Sequence, residues 1–301
     1  MRRCRGARDD HGTLARIASP ERMFYGVGMA ETSLEGPTTG QARAAGAAGR
    51  GALSLELDHP TLSIVMPVFN EGAVIEQVVR ELDAEIVEKL GTCEMVVVDD
   101  CSTDDTHRIL SELSATLPQL TVVRNEPNRG HGPSVLRALD MATGDWIFQV
   151  DSDRQHLAAE FWDLWAVRDD ADLVLGVRRQ RRDGPYRLLI TFFVRLGVSM
   201  LARRRIRDSN VPFRLYRREL WQDVGPLMEQ DTLAPSIHLA VGAALRGWRI
   251  VEVEVTHLPR VTGLSFHRGF RVLKFSLRGL RQLIRFRMKQ ARSPRTTTRP
   301  A

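Results

Sequence analysis

The sequence predicts an α/β fold: a mostly parallel central sheet with helices on both faces. Three observations carry that expectation. Apolar runs of strand length recur along the chain, segments with helical spacing of apolar residues separate them, and the runs are nearly continuous in apolar residues. Continuity of that kind marks strands buried on both faces, as in parallel sheets, rather than strands with one wet face. With 301 residues, 43% of them hydrophobic, the chain can bury one core and carry appendages.

Order is expected from about residue 59. Residues 1–58 are rich in Gly, Ala, Arg and Ser, without a period of 2 or 3.6, and read as a disordered extension lacking the apolar stretch of a signal peptide; Met23 and Met29 are alternative starts. LSIVMPVF (62–69) reads as the first strand, and AVIEQVVRELDAEIVEKL (73–90) follows with Val74, Val78, Leu82 and Ile86 at helical spacing. CEMVVVDDCSTDDT repeats the pattern: a strand, an acidic turn, then a helix opened by a Ser or Asp cap. LTVVRNEPNRGHGPSVLRALDMA adds a strand, a Gly-rich turn and a helix. DWIFQVDSD and ADLVLGVRR supply the fourth and fifth strands, and VEVEVTH a last one. The expected organisation is an extension (1–58), a catalytic-size domain (59–263) and a basic amphipathic helix with a tail (264–301).

Ligands on such sheets bind beyond the carboxyl ends of the strands. Glu71, Asp99, Asp100, Gly130 to Gly132, Asp151 and Asp153 all follow strand ends. Each alone is an ordinary loop carboxylate or turn glycine. Together on one rim they point to a bound polar ligand. In an extended segment Asp151 and Asp153 face the same way. Two such carboxylates repel unless a cation lies beside them, and Mg²⁺ or Mn²⁺ prefers hard oxygens shared with phosphates. Gln155 adds a third oxygen if the strand geometry persists. A nucleotide-activated donor fits this set. The three cysteines form no CxxC pair, which argues against a zinc-thiolate site or a disulfide framework.

PVFNE (67–71), VVVDDCSTDDT (96–106), NRGHGPSVLRAL (128–139) and VDSDRQH (150–156) resemble, in order, the motifs of family 2 glycosyltransferases of the GT-A fold. The resemblance is strongest to the branch of dolichyl-phosphate mannose synthases and polyprenyl-phosphate glycosyltransferases, and covers about residues 62–265. It implies that Pro67, Phe69 and Glu71 hold the nucleotide base, with Asp99 and Asp100 at base or ribose. Gly130 and His131 belong to the same nucleotide site. Asp151 would lie near donor sugar and phosphates, and Asp153 with Gln155 would hold the metal. Arg178 and Arg187 would serve the acceptor phosphate, while Arg260 and Ser265 in RVTGLS (260–265) match a loop near the phosphates. Inverting transfer from a UDP- or GDP-linked sugar to a polyprenyl phosphate would follow. Three departures touch the rim: His131 stands where a lysine is common, Arg154 and HLAAE replace Leu and HPPE, and Val211–Pro212 replace a small glycine turn.

The acceptor side is basic. Residues 178–218 carry 13 Arg against two acidic side chains, around an apolar segment too short and too charged for a membrane span. Phe266, Phe270, Leu273, Leu277, Leu280 and Ile284 form a helical stripe, with Phe275 and Phe286 off it and no acidic residue between 260 and 290. A cationic amphipathic helix suits an anionic membrane surface, here the inner face of the cell membrane; the competing reading packs the stripe on the domain and leaves the arginines in solvent. A phosphate acceptor needs no protein base, whereas a hydroxyl acceptor does. Asp231 is the candidate base, with helix capping as its alternative role and Glu229 as a weaker candidate. An acidic rim and the absence of a zinc-finger or RNP-type motif argue against nucleic acid as the partner of the basic segments. An inactive glycosyltransferase-like scaffold is the remaining alternative.

Overall fold

The computed structural model describes residues 59–178, 196–258 and 270–293, with side chains in the last stretch from 277 onward. Its core is a seven-stranded sheet in the order β3-β2-β1-β4-β6-β5-β7. The strands are β1 (Leu62–Val68), β2 (Cys93–Asp99), β3 (Leu120–Arg124), β4 (Trp146–Val150), β5 (Leu173–Arg178), β6 (Phe213–Arg217) and β7 (Ile250–Val255). All pairings are parallel except those of β6, which runs antiparallel to both β4 and β5. The mostly parallel α/β sheet read from the sequence is therefore present. The reading omitted β6, whose five residues FRLYR include two arginines and lack the apolar continuity of its neighbours.

Helices among the described residues include α1 (Ile75–Leu82), which continues through a π-helical turn (Asp83–Val87) to Leu90; α2 (Thr106–Ser114); α3 (His131–Met141); α4 (Phe161–Ala166); α5 (Arg218–Val224); α6 (Pro235–Arg246); and α7 (Phe270–Arg292). Residues 196–202 are also helical. Alternation along the strands divides the core. Leu62, Ile64, Met66 and Val68 face one side with Ile75, Val78, Leu82 and Ile86 of the first helix. Val65, Val96 and Val98 face the other with Val135, Leu136 and Leu139 of α3. Each such buried aliphatic side chain contributes about 1.5–3 kcal/mol, so the helical stripe of 74–86 and its counterpart on α3 fix both layers.

The chain leaves β1 for β2 and β3 on one side, then returns to place β4 on the other side of β1. That reversal lies between β1 and β4, and the carboxyl ends of both strands open there. It is where a doubly wound sheet receives its ligand. α7 covers the second core layer through buried Leu283 and Phe286, the latter edge-on to His238 of α6 with centroids 5.1 Å apart. Leu277, Leu280, Ile284 and Met288 remain exposed. The stripe foreseen on this helix is thus the outward one where its side chains are described, and Phe286, expected off it, packs inward with Leu283. Among the described residues no helix is long and apolar enough to cross a membrane.

Candidate active site

Two turns interlock at the rim before any ligand is considered. The Asn70 backbone, in the left-handed region at φ 53° that asparagine tolerates, donates its N–H to Ser102 Oγ at 3.0 Å, and Asn70 Oδ1 accepts the Thr103 N–H at 2.8 Å. The next two backbone N–H groups are also taken: that of Glu71 by Thr106 Oγ1 at 2.9 Å and that of Gly72 by Asp104 Oδ2 at 3.0 Å. The PVFNE and DDCSTDDT motifs are thereby one rigid ledge. Hydrogen bonds from these groups hold the Asp104 carboxyl below its ordinary range, against the opposing effect of burial.

Asp100 organises the Gly-rich turn. Its Oδ1 accepts the Arg129 N–H at 2.8 Å and the Asn125 Nδ2 at 2.8 Å, while Oδ2 accepts the Gly130 N–H at 2.7 Å. Gly130 adopts φ 92°, open to glycine and strained for any other residue, and starts α3 with it. Asp99, one residue earlier, is fully buried: it accepts the Ser102 N–H at 3.0 Å and lies 3.3 Å from His107 Nδ1. Asp99 supports the ledge from beneath and does not line the cavity, whereas Asp100 does.

That cavity measures about 590 Å³. Pro67 lines it from the end of β1 and Phe69 and Glu71 from the turn after it, Asp100 from just past β2, Gly130 and His131 from the start of α3, and Asp151 and Asp153 from the turn after β4. Glu71, Asp100, Gly130, His131, Asp151 and Asp153 belong to the rim expected from the strand ends, and Pro67 and Phe69 to the set the resemblance implied; Asp99, also expected on that rim, is not among the lining residues. Phe69 is exposed, as a side chain that stacks on a planar ligand would be. His131 Nε2 stands 4.0 Å from Asp151 Oδ1.

The geometry behind the Asp151, Asp153 and Gln155 reading needs correction. β4 ends at Val150, and the following residues turn instead of extending: Ser152 Oγ donates to the Pro67 carbonyl at 3.2 Å, Asp153 Oδ1 accepts the Gln155 N–H at 3.2 Å, and Arg154 sits at φ 58°. Strand alternation therefore does not align the three. Gln155 Nε2 donates to the Leu258 carbonyl at 3.1 Å, fixing its amide, and Gln155 is not among the residues lining the cavity. Among the described residues no three His, Cys, Asp or Glu side chains gather as a self-sufficient metal centre. Two carboxylates facing a cavity nevertheless fit a small hard cation that completes its shell from substrate phosphates and water, the usual Mg²⁺ arrangement.

Arg178 ends β5 outside this cavity and pairs with Asp208. The segment carrying Asp208 is pinned by Arg214, a fully buried guanidinium that donates to the carbonyls of Ser209, Val211 and, at 2.8 Å, Ser236. Burial pushes the Arg214 group down to about 10, which still leaves it charged at neutral pH. His156 lies nearby, buried, its Nδ1 3.0 Å from the Thr256 carbonyl and its ring 5.5 Å from that of His257. Burial, then the neighbouring His257, depress it to about 4, so it is a neutral ring at physiological pH. Arg187, Arg260 and Ser265 lie outside the described residues.

Asp231 also faces the cavity. It does not cap α6: Ala234 precedes that helix without a side-chain cap, and Pro235 occupies the first turn. Instead Asp231 Oδ2 accepts a 2.6 Å hydrogen bond from Arg278 Nη2 of α7, and Gln282 Nε2 donates to its carbonyl and, more weakly, to Oδ1. Arg278 itself lines the cavity. Sequence reasoning missed that role because helical spacing defines a face of α7 without saying what the face meets.

Residues 63–225 match the model of the family described as glycosyl transferase family 2. A curated relative from Klebsiella pneumoniae, an undecaprenyl-phosphate 4-deoxy-4-formamido-L-arabinose transferase, is 27% identical over 70% of this chain and 64% of its own. The chain thus spans less than two-thirds of that relative's length. Among solved structures, a mannosyltransferase from Pyrobaculum calidifontis in complex with GDP-Man and Mn²⁺ superposes with a TM-score of 0.55 at 23% identity, covering 79% of this chain and 66% of the other. A glucosyl-3-phosphoglycerate synthase from Mycobacterium tuberculosis with Mn²⁺ and UDP gives 0.56 at 21%, over 79% and 80%. These likenesses establish the GT-A fold of the chain.

Proposed function

The chain belongs to glycosyl transferase family 2, and from that premise we propose that it transfers a sugar from a UDP- or GDP-linked donor to a polyprenyl phosphate, with inversion at the anomeric carbon. The observation that carries this reading is the single cavity in which the ledge of Pro67 to Glu71, the Asp100-ordered glycine turn, and Asp151 with Asp153 meet at the carboxyl ends of β1, β2 and β4. Phe69 and Glu71 would hold the base, Asp100 would keep the glycine turn shaped for the ribose and diphosphate beside Gly130 and His131, and Asp99 would act from below. A divalent ion, Mg²⁺ or Mn²⁺, held by Asp151 and Asp153 with Gln155 nearby, would neutralise charge developing on the diphosphate leaving group. Arg178 and Arg187 would orient the acceptor phosphate, with Arg260 and Ser265 contributing from the segment 260–265.

An acceptor phosphate is ionised near pH 7 and needs positioning rather than deprotonation. The ion pair of Asp231 with Arg278 accords with a site that uses no carboxylate base. The named activity of the Klebsiella relative points to the same acceptor class. The exposed Leu277, Leu280, Ile284 and Met288, interspersed with Arg281, Arg285 and Lys289, would rest on the anionic inner face of the cell membrane, where such a lipid resides. A second reading, transfer to a glycan or glycolipid hydroxyl with Asp231 as base, draws on the position of Asp231 at the cavity wall.

The test is nucleotide release from a panel of UDP- and GDP-sugars with Mg²⁺ or Mn²⁺, comparing short-chain polyprenyl phosphate with the matching polyprenol. Release that depends on the phosphate supports the proposal. Release stimulated equally by the alcohol moves the acceptor to a hydroxyl and the chemistry to Asp231.

A further inference from the structure

We propose that Arg278, carried on the C-terminal helix α7, is a diphosphate-binding residue of the donor site, and that Asp231 positions it. The inference rests on the donor-site reading above and adds to it a side chain from outside the segment 63–225 that matches the family.

Charge makes the case first. The cavity wall carries Glu71, Asp100, Asp151, Asp153 and Asp231. A divalent cation offsets only Asp151 and Asp153. A nucleoside diphosphate brings further negative charge to a wall that is already acidic, and the basic side chains lining the cavity are Arg129, His131 and Arg278. Arg278 is held at hydrogen-bond distance by a carboxylate, through Nη2 to Asp231 Oδ2 at 2.6 Å. A guanidinium has five N–H donors in a fixed fork, so one held edge leaves donors to give hydrogen bonds to two phosphate oxygens side by side.

Pre-organisation makes it second. Gln282, one turn along α7 and buried, donates from Nε2 to the Asp231 carbonyl at 3.0 Å and accepts the Leu233 N–H on Oε1 at 3.0 Å. Residues 231–233 are pressed against the start of α3, where a Cβ on Gly132 would meet the Thr232 carbonyl at 1.9 Å. α7, the 231–233 segment and the glycine turn are therefore one packed wall, and Arg278 emerges from it at a fixed place. A donor set in advance costs no reorganisation when the anion arrives. The Asp231–Arg278 pair is more than half exposed on both sides, at 60% and 57%. Pairs so exposed add little to stability, so the fold has little need of this one.

The experiment titrates the full chain, with Mn²⁺ present, against UDP and GDP and against UMP and GMP. Wild-type protein is expected to bind one diphosphate more tightly than its monophosphate. Arg278→Ala is expected to weaken that diphosphate by about tenfold or more while changing the monophosphate less than about twofold, with Arg278→Lys between the two because it keeps charge and loses the fork. Should Arg278→Ala fail to fold, Arg278→Gln keeps the stem and carries the same comparison. Unchanged diphosphate affinity, or an equal loss for mono- and diphosphate, overturns the inference while leaving the donor site intact. Wild-type protein that binds neither UDP nor GDP overturns the donor-site reading and this inference with it.

Discussion

Arg178 and Asp208, thirty residues apart, meet in a two-pronged ion pair: Nε to Oδ2 at 3.0 Å and Nη2 to Oδ1 at 3.3 Å, both side chains mostly buried. The pair sets the direction in which the arginine presents its remaining donors. Asp208→Asn should therefore resemble Arg178→Ala in raising the KM for polyprenyl phosphate by about tenfold or more, with donor affinity unchanged, and should cost about 3 kcal/mol of stability by leaving a buried charge without this partner. Acceptor kinetics and denaturant unfolding of both variants check it. Normal acceptor kinetics in both would remove the pair from the acceptor site.

Asp153 lies on the cavity wall in a turn, half-buried and without a place in the apolar core. Asp153→Ala should abolish most metal-dependent turnover, by a factor of about a hundred or more, and leave the melting temperature within a few degrees of wild type. Turnover measured across a Mg²⁺ and Mn²⁺ series reads this directly. A variant with full activity and the same metal dependence would clear Asp153 of the role.

Gly132 has no room for a methyl group, because the obstacle is the Thr232 backbone carbonyl and not the tip of a side chain. Gly132→Ala should destabilise the protein by about 1–3 kcal/mol and weaken nucleotide binding as α3 and the 231–233 segment part. Thermal unfolding and UDP or GDP titration test it together. An unchanged melting temperature would mean that the two segments separate without cost.

His238 is buried under Phe286, with Nδ1 2.9 Å from the Ala234 carbonyl. Burial lowers its pKa below the ordinary value, with the Ala234 and Gln282 hydrogen bonds and the nearby Glu229 carboxylate opposing in part. The native ring thus stays neutral where the unfolded ring takes a proton. Stability is complete above an ordinary histidine value of about 6.5 and falls as the pH drops below it. Wild type should lose more unfolding free energy between pH 7.5 and 5 than His238→Gln, and α7 should loosen first because Phe286 rests on the ring. Guanidinium unfolding at the two pH values, with amide exchange along α7, tests both parts. Equal losses in the two proteins would acquit His238.

The sheet was legible because buried parallel strands carry unbroken apolar runs, as in LSIVMPVF and CEMVVVDD, and because the rule that ligands lie beyond strand ends gathers Glu71, Asp100 and Asp151 from three distant motifs. β6 was not, since the strand hides Arg214 in the core, where backbone carbonyls rather than apolar neighbours satisfy it. The turn after Val150 was equally hidden. An aspartate pair one residue apart reads the same in a strand and in a turn, and hydrogen bonds from Ser152 and Gln155 decide between them. Asp231 and Arg278 were invisible as a pair because 47 residues separate them and only the docking of α7 on α6 brings them together.

The most direct measurement is the structure of the product: mass and anomeric configuration, by NMR, of the lipid formed from the accepted nucleotide sugar and a short-chain polyprenyl phosphate. The account predicts a sugar joined through phosphate to the polyprenol, with the anomeric configuration opposite to that of the donor. A sugar attached to a hydroxyl, or one that keeps the donor's configuration, would contradict it.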